Sequence, residues 1–302
     1  MCTAIHTVTR AKLFGRTLDL ETSYGESVVI TPRAFPFSFL RQDPMTRHAA
    51  MIGTAHLFEG KPLYYDAVNE YGLAIAALRF ADCAVYRHPL SGMRNVASFE
   101  LIPWILGQCT DVEEALVLLR QTNLLADSVH PSLPATPLHW LIADRGRAVT
   151  AEPLAEGLRL TDNILGILTN SPDFFHHTAY LAVSEALPGG YGSVARFCRA
   201  AYAEEHTLHE GGPAEEISRF FHVADTVFQP CGYRRTETGE PIRTQYVSCA
   251  DLSTGTYYFT TYRCRRIRSL SLREHPLDGK RLLTVPMAGD EDVLALKATP
   301  HA

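Results

Sequence analysis

The sequence predicts an α+β fold, on three observations. Short runs rich in β-branched and aromatic residues alternate with turn signals near both ends and in the middle of the chain. Two blocks between them carry apolar residues at helical spacing. The resulting order of strands, helices, strands, helices, strands favours stacked layers over a doubly wound parallel sheet. With 302 residues, 46% of them hydrophobic, the chain buries a large core without disulfide or metal staples. No internal repeat or low-complexity stretch divides it, so 1–302 reads as one domain, with the patternless tail 289–302 expected to be poorly ordered.

The elements follow in chain order. Thr3–Thr9, Phe14–Leu20 and Ser27–Thr31 read as strands. Three prolines (Pro32, Pro36, Pro44) make 32–50 an irregular loop, whose Phe35, Phe37 and Phe39 either line a cleft or pack the loop down. Leu63–Val68 and Gly72–Phe80 form a hairpin across Asn69-Glu70-Tyr71. Ser98–Gly107 is helical, and a capping box at Thr110-Asp111-Val112-Glu113 opens a second helix, Val112–Leu125. Past a proline-rich linker at 130–137, Trp140–Asp144 and Ala148–Glu152 flank Arg145-Gly146-Arg147 as a hairpin, and Ile164–Thr169 is another strand. Helices return from about 174 to 228, with Pro213 at a first-turn position. Gln245–Ala250 and Thr256–Arg263 close the fold as strands around Ser253-Thr254-Gly255.

Composition excludes several classes. A net charge of −5 argues against a general nucleic-acid binder, and no apolar run reaches the 18 residues of a membrane span. Basic residues are skewed, four Lys against 24 Arg, so an anion site here would use guanidinium groups. The seven cysteines include no CxxC pair, and no Cys/His cluster has zinc spacing. The adjacent pair His176-His177 is likewise not spaced for a metal and reads as a surface pair at a helix start. An N-terminus without a secretory apolar stretch and an odd cysteine count fit a reduced, cytoplasmic protein. Six cysteines read as small core residues.

Cys2 stands apart. Removal of the initiator Met would place a free α-amine beside its thiol, and a terminal amine is a known activator of a neighbouring nucleophile. The reference pKa values of the two groups are about 8 and about 8.5, close enough for proton exchange near neutral pH. A strand through Phe14-Gly15-Arg16-Thr17-Leu18-Asp19, running beside the N-terminal strand, would bring Arg16 and Asp19 to that terminus. There the Arg would favour thiolate and the carboxylate would orient the ammonium.

MCTAIH, FGRTLDL, Gly25-Glu26, Thr31-Pro32-Arg33, the run Tyr65-Asp66-Ala67-Val68-Asn69-Glu70-Tyr71-Gly72-Leu73-Ala74-Ile75-Ala76, Leu168-Thr169-Asn170-Ser171-Pro172 and Ala195-Arg196-Phe197 occur in that order. Over nearly its whole length the chain resembles the choloylglycine hydrolase family of N-terminal nucleophile hydrolases, which comprises bile salt hydrolases and penicillin V acylases. The resemblance implies a four-layer αββα sandwich and hydrolysis of a linear C–N amide. It implies Cys2 as nucleophile and its own amine as base, with Arg16 and Asp19 tuning that terminus. Asn170 would be the side-chain donor to the oxyanion, and Arg196 would stabilise charge at the reacting centre. No cofactor or metal is implied.

The resemblance points first to a cysteine amidohydrolase of conjugated bile salts, releasing glycine or taurine through a thioester, with a penicillin V or N-acyl-homoserine lactone acylase as the alternative. A non-catalytic bile-acid or acyl-amide binding protein is a further alternative. Arg79 stands where bile salt hydrolases usually have Asn and penicillin V acylases often have Tyr; the family uses the backbone N–H there, so catalysis is compatible with Arg79. Its side chain either pairs with an acidic substrate group or points to solvent. Tyr24, Phe58 and Leu133 are the candidates for an apolar substrate wall. The expected partner is a small acyl-amide, with no nucleic acid and no membrane. A homo-oligomer is expected, although the segment between Asn170 and Arg196 is shorter than the loop many Gram-positive members use to assemble tetramers.

Overall fold

A computed structural model describes residues 1–302 apart from Glu185, Glu210, Ala288, 290–292 and 299–302. Strands β1 (Cys2–Val8), β2 (Lys12–Leu20) and β3 (Ser27–Thr31) open the chain, followed by β4 (Met51–Phe58), β5 (Lys61–Asn69) and β6 (Ala74–Arg79). Next come β7 (Arg94–Ala97), α1 (Leu101–Leu106), α2 (Val112–Leu119) and β8 (Thr122–Leu125). Strands β9 (Leu138–Ala143), β10 (Ala148–Leu154), β11 (Gly157–Asp162) and β12 (Ile167–Leu168) precede helices α3 (Phe174–Val183), α4 (Ser193–His206) and α5 (Pro213–Asp225). The last segment carries β13 (Arg234–Arg235), β14 (Pro241–Asp251), β15 (Thr256–Thr261), β16 (Arg268–Ser271) and β17 (Leu283–Pro286).

Two antiparallel sheets stack face to face. One runs β12-β1-β2-β14-β15-β16 and the other β11-β10-β9-β6-β5-β4-β3-β17. Period-two alternation sorts the side chains. On β6, Ala74, Ala76 and Leu78 face the space between the sheets, whereas Ile75 and Ala77 face outward onto the core shared with α1 and α2. Helices α4 and α5 cover the outer face of the first sheet, where Phe197, Ala200, Phe220 and Ala224 are buried. Helix, sheet, sheet, helix: the αββα sandwich is the architecture observed.

Several local expectations change. The second helix stops at Leu119, because Thr122–Leu125 pairs in parallel with β7 and Asn123 binds His88 O and Asn95 Oδ1. An apolar run such as Leu124-Leu125 fits either period, and the tertiary partner decides. The cap of α2 shifts by one residue: Asp111 accepts from Glu114 N–H, and Glu114 Oε2 accepts from Thr110 N–H and Oγ1. Only Ile167–Leu168 of the expected 164–169 strand is β, since Gly166 turns with φ +66° and Ile164 lies 97% exposed. Phe37 and Phe39 pack their loop against His48 and Trp104 on the outer core. His177 is buried rather than superficial, and of the six cysteines assigned to the core, Cys231 is exposed and Cys83 only half-buried. Of the tail, Gly289 and 293–298 carry no regular structure, and the rest lies outside the described residues.

Candidate active site

The register of β1 on β2 builds the centre. Cys2 lies opposite Leu18 and Ala4 opposite Arg16, so Cys2 and Arg16 share the face between the sheets. Thr3 and Asp19 occupy the other face, toward the helices. Gly15 precedes Arg16 because β14, paired beside β2, comes too close there for a side chain: a Cβ would sit 1.9 Å from Ser248 O.

Arg16 is fully buried and spans the sandwich. Its Nη1 donates to Tyr65 O (2.9 Å) on β5 and to Ala77 O on β6, while Nη2 has no acceptor among the described residues. Burial works against its charge, but Cys2, Tyr246, Asp66 and Asp19 outweigh it and raise the guanidinium pKa. On the helix face, Asp19 accepts from Gln229 Nε2 (2.5 Å) and Thr244 Oγ1 (2.7 Å). Its backbone, not its carboxylate, holds Met1: the Met1 amine donates to Asp19 O, and Asp19 N–H donates to Met1 O at 2.7 Å. Burial lowers the pKa of that amine, against the opposing pull of Cys2 and Asp19.

Asn170 and Arg196 close on Cys2 from the chain's second half. Thr169 and Asn170 are tied to the first turn of α4 through Ser193, whose Oγ accepts the Asn170 N–H at 2.9 Å. Asn170 Oδ1 accepts from Cys2 N–H (2.7 Å) and from Arg196 Nη2 (2.7 Å). These two donors fix the amide orientation, so Nδ2 donates to Arg79 O (2.8 Å) and keeps a second hydrogen. Arg196, fully buried, donates through Nη1 to Cys2 O and Thr3 Oγ1 (2.7 Å). Its pKa is lowered, first by burial, although Asp19 and Cys2 oppose this.

Arg79 sits at a non-hydrogen-bonded position opposite Leu138, because Phe80 N–H reaches Pro137 O and Leu138 N–H reaches Tyr86 Oη. Its own N–H therefore points away from β9. It faces the gap beyond Asp66↔Ala76, where β5 has left β6 and Arg16 crosses. The Arg79 side chain is exposed, on the face of Ile75 and Ala77.

Tyr24, Phe58 and Leu133 are linked by an aromatic chain: Tyr24 to His56 (6.3 Å), His56 to Phe58 (6.5 Å), Phe58 to His130 (5.6 Å), with Leu133 turned back on His130. Tyr65 adjoins the centre, its backbone O accepting from Arg16 Nη1. Burial raises its phenol pKa, and it feels the charges of Glu26, Arg16 and Cys2. Sequence reasoning missed Gln229, Thr244, Tyr65 and a buried cluster around Asp66. In that cluster Asp66 accepts from Tyr246 Oη (2.5 Å), Tyr257 Oη (2.5 Å) and Ser248 Oγ (3.1 Å) across the two sheets. Only Tyr65 and Asp66 carried a signal, as part of the Tyr65–Ala76 run.

A thiol, two buried guanidiniums and an amide donor thus converge on the N-terminal strand of an αββα sandwich. The profile of the family described as linear amide C–N hydrolases, choloylglycine hydrolase family, matches residues 2–186 and 182–285. The chain belongs to that family. A bile salt hydrolase/transferase of Lactiplantibacillus plantarum is 36% identical, across 98% of this chain and all of that protein. One from Clostridium perfringens is 30% identical over 94% and 96%. Among solved structures, a variant of the Clostridium perfringens conjugated bile acid hydrolase superposes with a TM-score of 0.90 at 27% identity, covering 98% of this chain and all of that one. A penicillin V acylase from Agrobacterium tumefaciens shares the fold, with a TM-score of 0.80 at 18% identity over 95% and 92%. This member of the choloylglycine hydrolase family is therefore an enzyme acting on linear amide C–N bonds. No helix among its described residues is long and apolar enough to cross a membrane.

Proposed function

We propose that the enzyme cleaves the amide of conjugated bile salts, with Cys2 as the nucleophile once Met1 has been removed. The observation that carries the reading is the grip on Cys2 from both ends: Asn170 Oδ1 holds its N–H, Arg196 holds its carbonyl, and the two holders bind each other. Excision of Met1 turns the Cys2 amide nitrogen into a free amine in the same buried setting. Burial, which lowers the pKa of the Met1 amine here, would also favour the neutral, basic form of that amine.

The chemistry follows from the placements. The amine takes the thiol proton as Sγ attacks the amide carbonyl, with Arg16 on the same strand face. The carbonyl oxygen becomes an oxyanion that accepts from the spare Asn170 Nδ2 hydrogen and the Arg79 N–H. The protonated amine passes its proton to the departing nitrogen, freeing glycine or taurine and leaving cholate as a thioester on Cys2. Water, deprotonated by the same amine, adds to the thioester and releases the acid. Tyr24, Phe58, Leu133 and Tyr65 supply the apolar rim for the steroid side.

The finer expectations of a cytoplasmic homo-oligomer belong to the same proposal. Exposed Ile164, Leu165, Leu187 and Tyr202, which line one surface cavity, support a self-associating face, which sedimentation at several concentrations tests. For the reaction, glycocholate, taurocholate, penicillin V and an acyl-homoserine lactone are compared in one assay with wild type and Cys2→Ala. The expected result is release of glycine and taurine by wild type and none by the variant. Faster turnover of penicillin V or the lactone would reassign the substrate. Binding of all four without turnover would mark a binding protein.

A further inference from the structure

We propose that Arg234, together with Arg196, forms the subsite that receives the acid group of the departing amino acid. The inference rests on the bile-salt reading and names the leaving-group pocket of the same site. The Met1 side chain lies between the two guanidiniums, its Sδ 2.9 Å from Arg234 Nη1 and 3.7 Å from Arg196 Nη2. Both arginines are moored on one acceptor, Tyr191 O, from Arg196 Nε (3.2 Å) and Arg234 Nη1 (3.2 Å). Tyr191 is itself fixed, edge-on against Tyr233 (5.2 Å) and beneath Arg199 (5.2 Å). Neither Arg196 nor Arg234 forms an ion pair among the described residues. Asp19, the carboxylate that acts on Arg196, is occupied by Gln229 and Thr244.

Two like charges held together around an uncharged thioether are a site without its counter-ion. The reaction says which ion belongs there. The Cys2 amine must protonate the leaving nitrogen, so that nitrogen comes within hydrogen-bond reach of the position where Met1 is now attached. A carboxylate or sulfonate two or three atoms further on then falls in the volume of the Met1 side chain. Excision of Met1 would therefore open the nucleophile's amine and the acid pocket in one step. Arg79 is not the partner of this acid, since strand alternation sets its side chain on the opposite face of β6 from the one toward Cys2.

The test compares cholylglycine with its neutral isostere cholylglycinamide, using wild type, Arg234→Gln, Arg234→Lys and Arg235→Ala. Arg235 is an exposed neighbour bonded to Gly239 O, and serves as the control for a general charge effect. In Arg234→Gln the ratio of kcat/KM for the acid over the amide is expected to fall about tenfold, the size of one charge-assisted hydrogen bond, and to do so through KM. Arg234→Lys should recover most of the ratio, and Arg235→Ala should keep the wild-type value. An unchanged ratio in Arg234→Gln, or an equal fall in Arg235→Ala, overturns the assignment while leaving the bile-salt reading intact. A wild type that cleaves neither amide refutes the reading and the assignment together.

Discussion

In the proposed mechanism Asn170 has two tasks that two substitutions separate. Its Oδ1 anchors Cys2 N–H and Arg196 Nη2, each at 2.7 Å, and its Nδ2 is fixed by Arg79 O at 2.8 Å with one hydrogen to spare. Asn170→Ala removes both functions. Loss of one oxyanion donor lowers kcat by about 10²–10³, or about 2.7–4 kcal/mol. The buried Arg196 Nη2 also loses its only oxygen acceptor among the described residues, at a cost of about 1–3 kcal/mol of stability. Asn170→Asp keeps the anchoring oxygen but has no N–H to give. Its kcat should fall by the same factor, with a smaller loss of stability than in the Ala variant. Glycine release from glycocholate gives kcat, chemical denaturation gives stability, and alkylation of Cys2 confirms that the thiol is intact. An Asp variant that turns over within about threefold of wild type would refute the oxyanion role, since that role is worth far more than threefold.

Asp66→Asn should lower stability to chemical denaturation by about 1–3 kcal/mol, the cost of leaving a buried hydroxyl donor without its acceptor. Asp66 is fully buried, which raises its pKa, while Arg16 and the hydroxyls of Tyr246, Tyr257 and Ser248 favour its charged form. Unchanged stability would contradict the part given to these three hydroxyls in joining the two sheets. His177→Gln should flatten the pH dependence of unfolding between about pH 4 and 6.5. Burial holds the His177 pKa down at about 4, so the folded state refuses a proton that the unfolded chain accepts below about 6.5. Its contribution is complete above that value and is lost, by about 3 kcal/mol, as pH falls to 4. Glu100, raised by burial to about 7, acts in the opposite sense, so the readout is the difference between variant and wild type. Identical pH profiles would contradict the His177 assignment.

What could be read from the sequence was local or carried by a motif. Period-two alternation is enough to put Arg16 and Asp19, three residues apart, on opposite faces of one strand, and the register of β1 on β2 sets that strand beside Cys2. Asn170 and Arg196 are far away in sequence and were legible only through the family resemblance; no spacing rule brings 170 and 196 to residue 2. The partners of these residues escaped notice because they depend on long-range register. Gln229 reaches Asp19 from the end of α5, and Tyr246 and Tyr257 reach Asp66 across the sandwich. Strand β4 has no polar side to its first residues, Met51–Ala55 being buried throughout, so alternation could not reveal it. Arg234 lies on a two-residue strand in a polar segment, where composition gives no hint of proximity to the N-terminus.

The most direct measurement is the mass of the N-terminal tryptic peptide, ending at Arg10, from enzyme quenched during turnover of glycocholate. The expected peptide begins at Cys2, and a fraction of it carries a cholyl group that hydroxylamine removes. An active enzyme that retains Met1, or that carries the acyl group on any other residue, would contradict the N-terminal nucleophile.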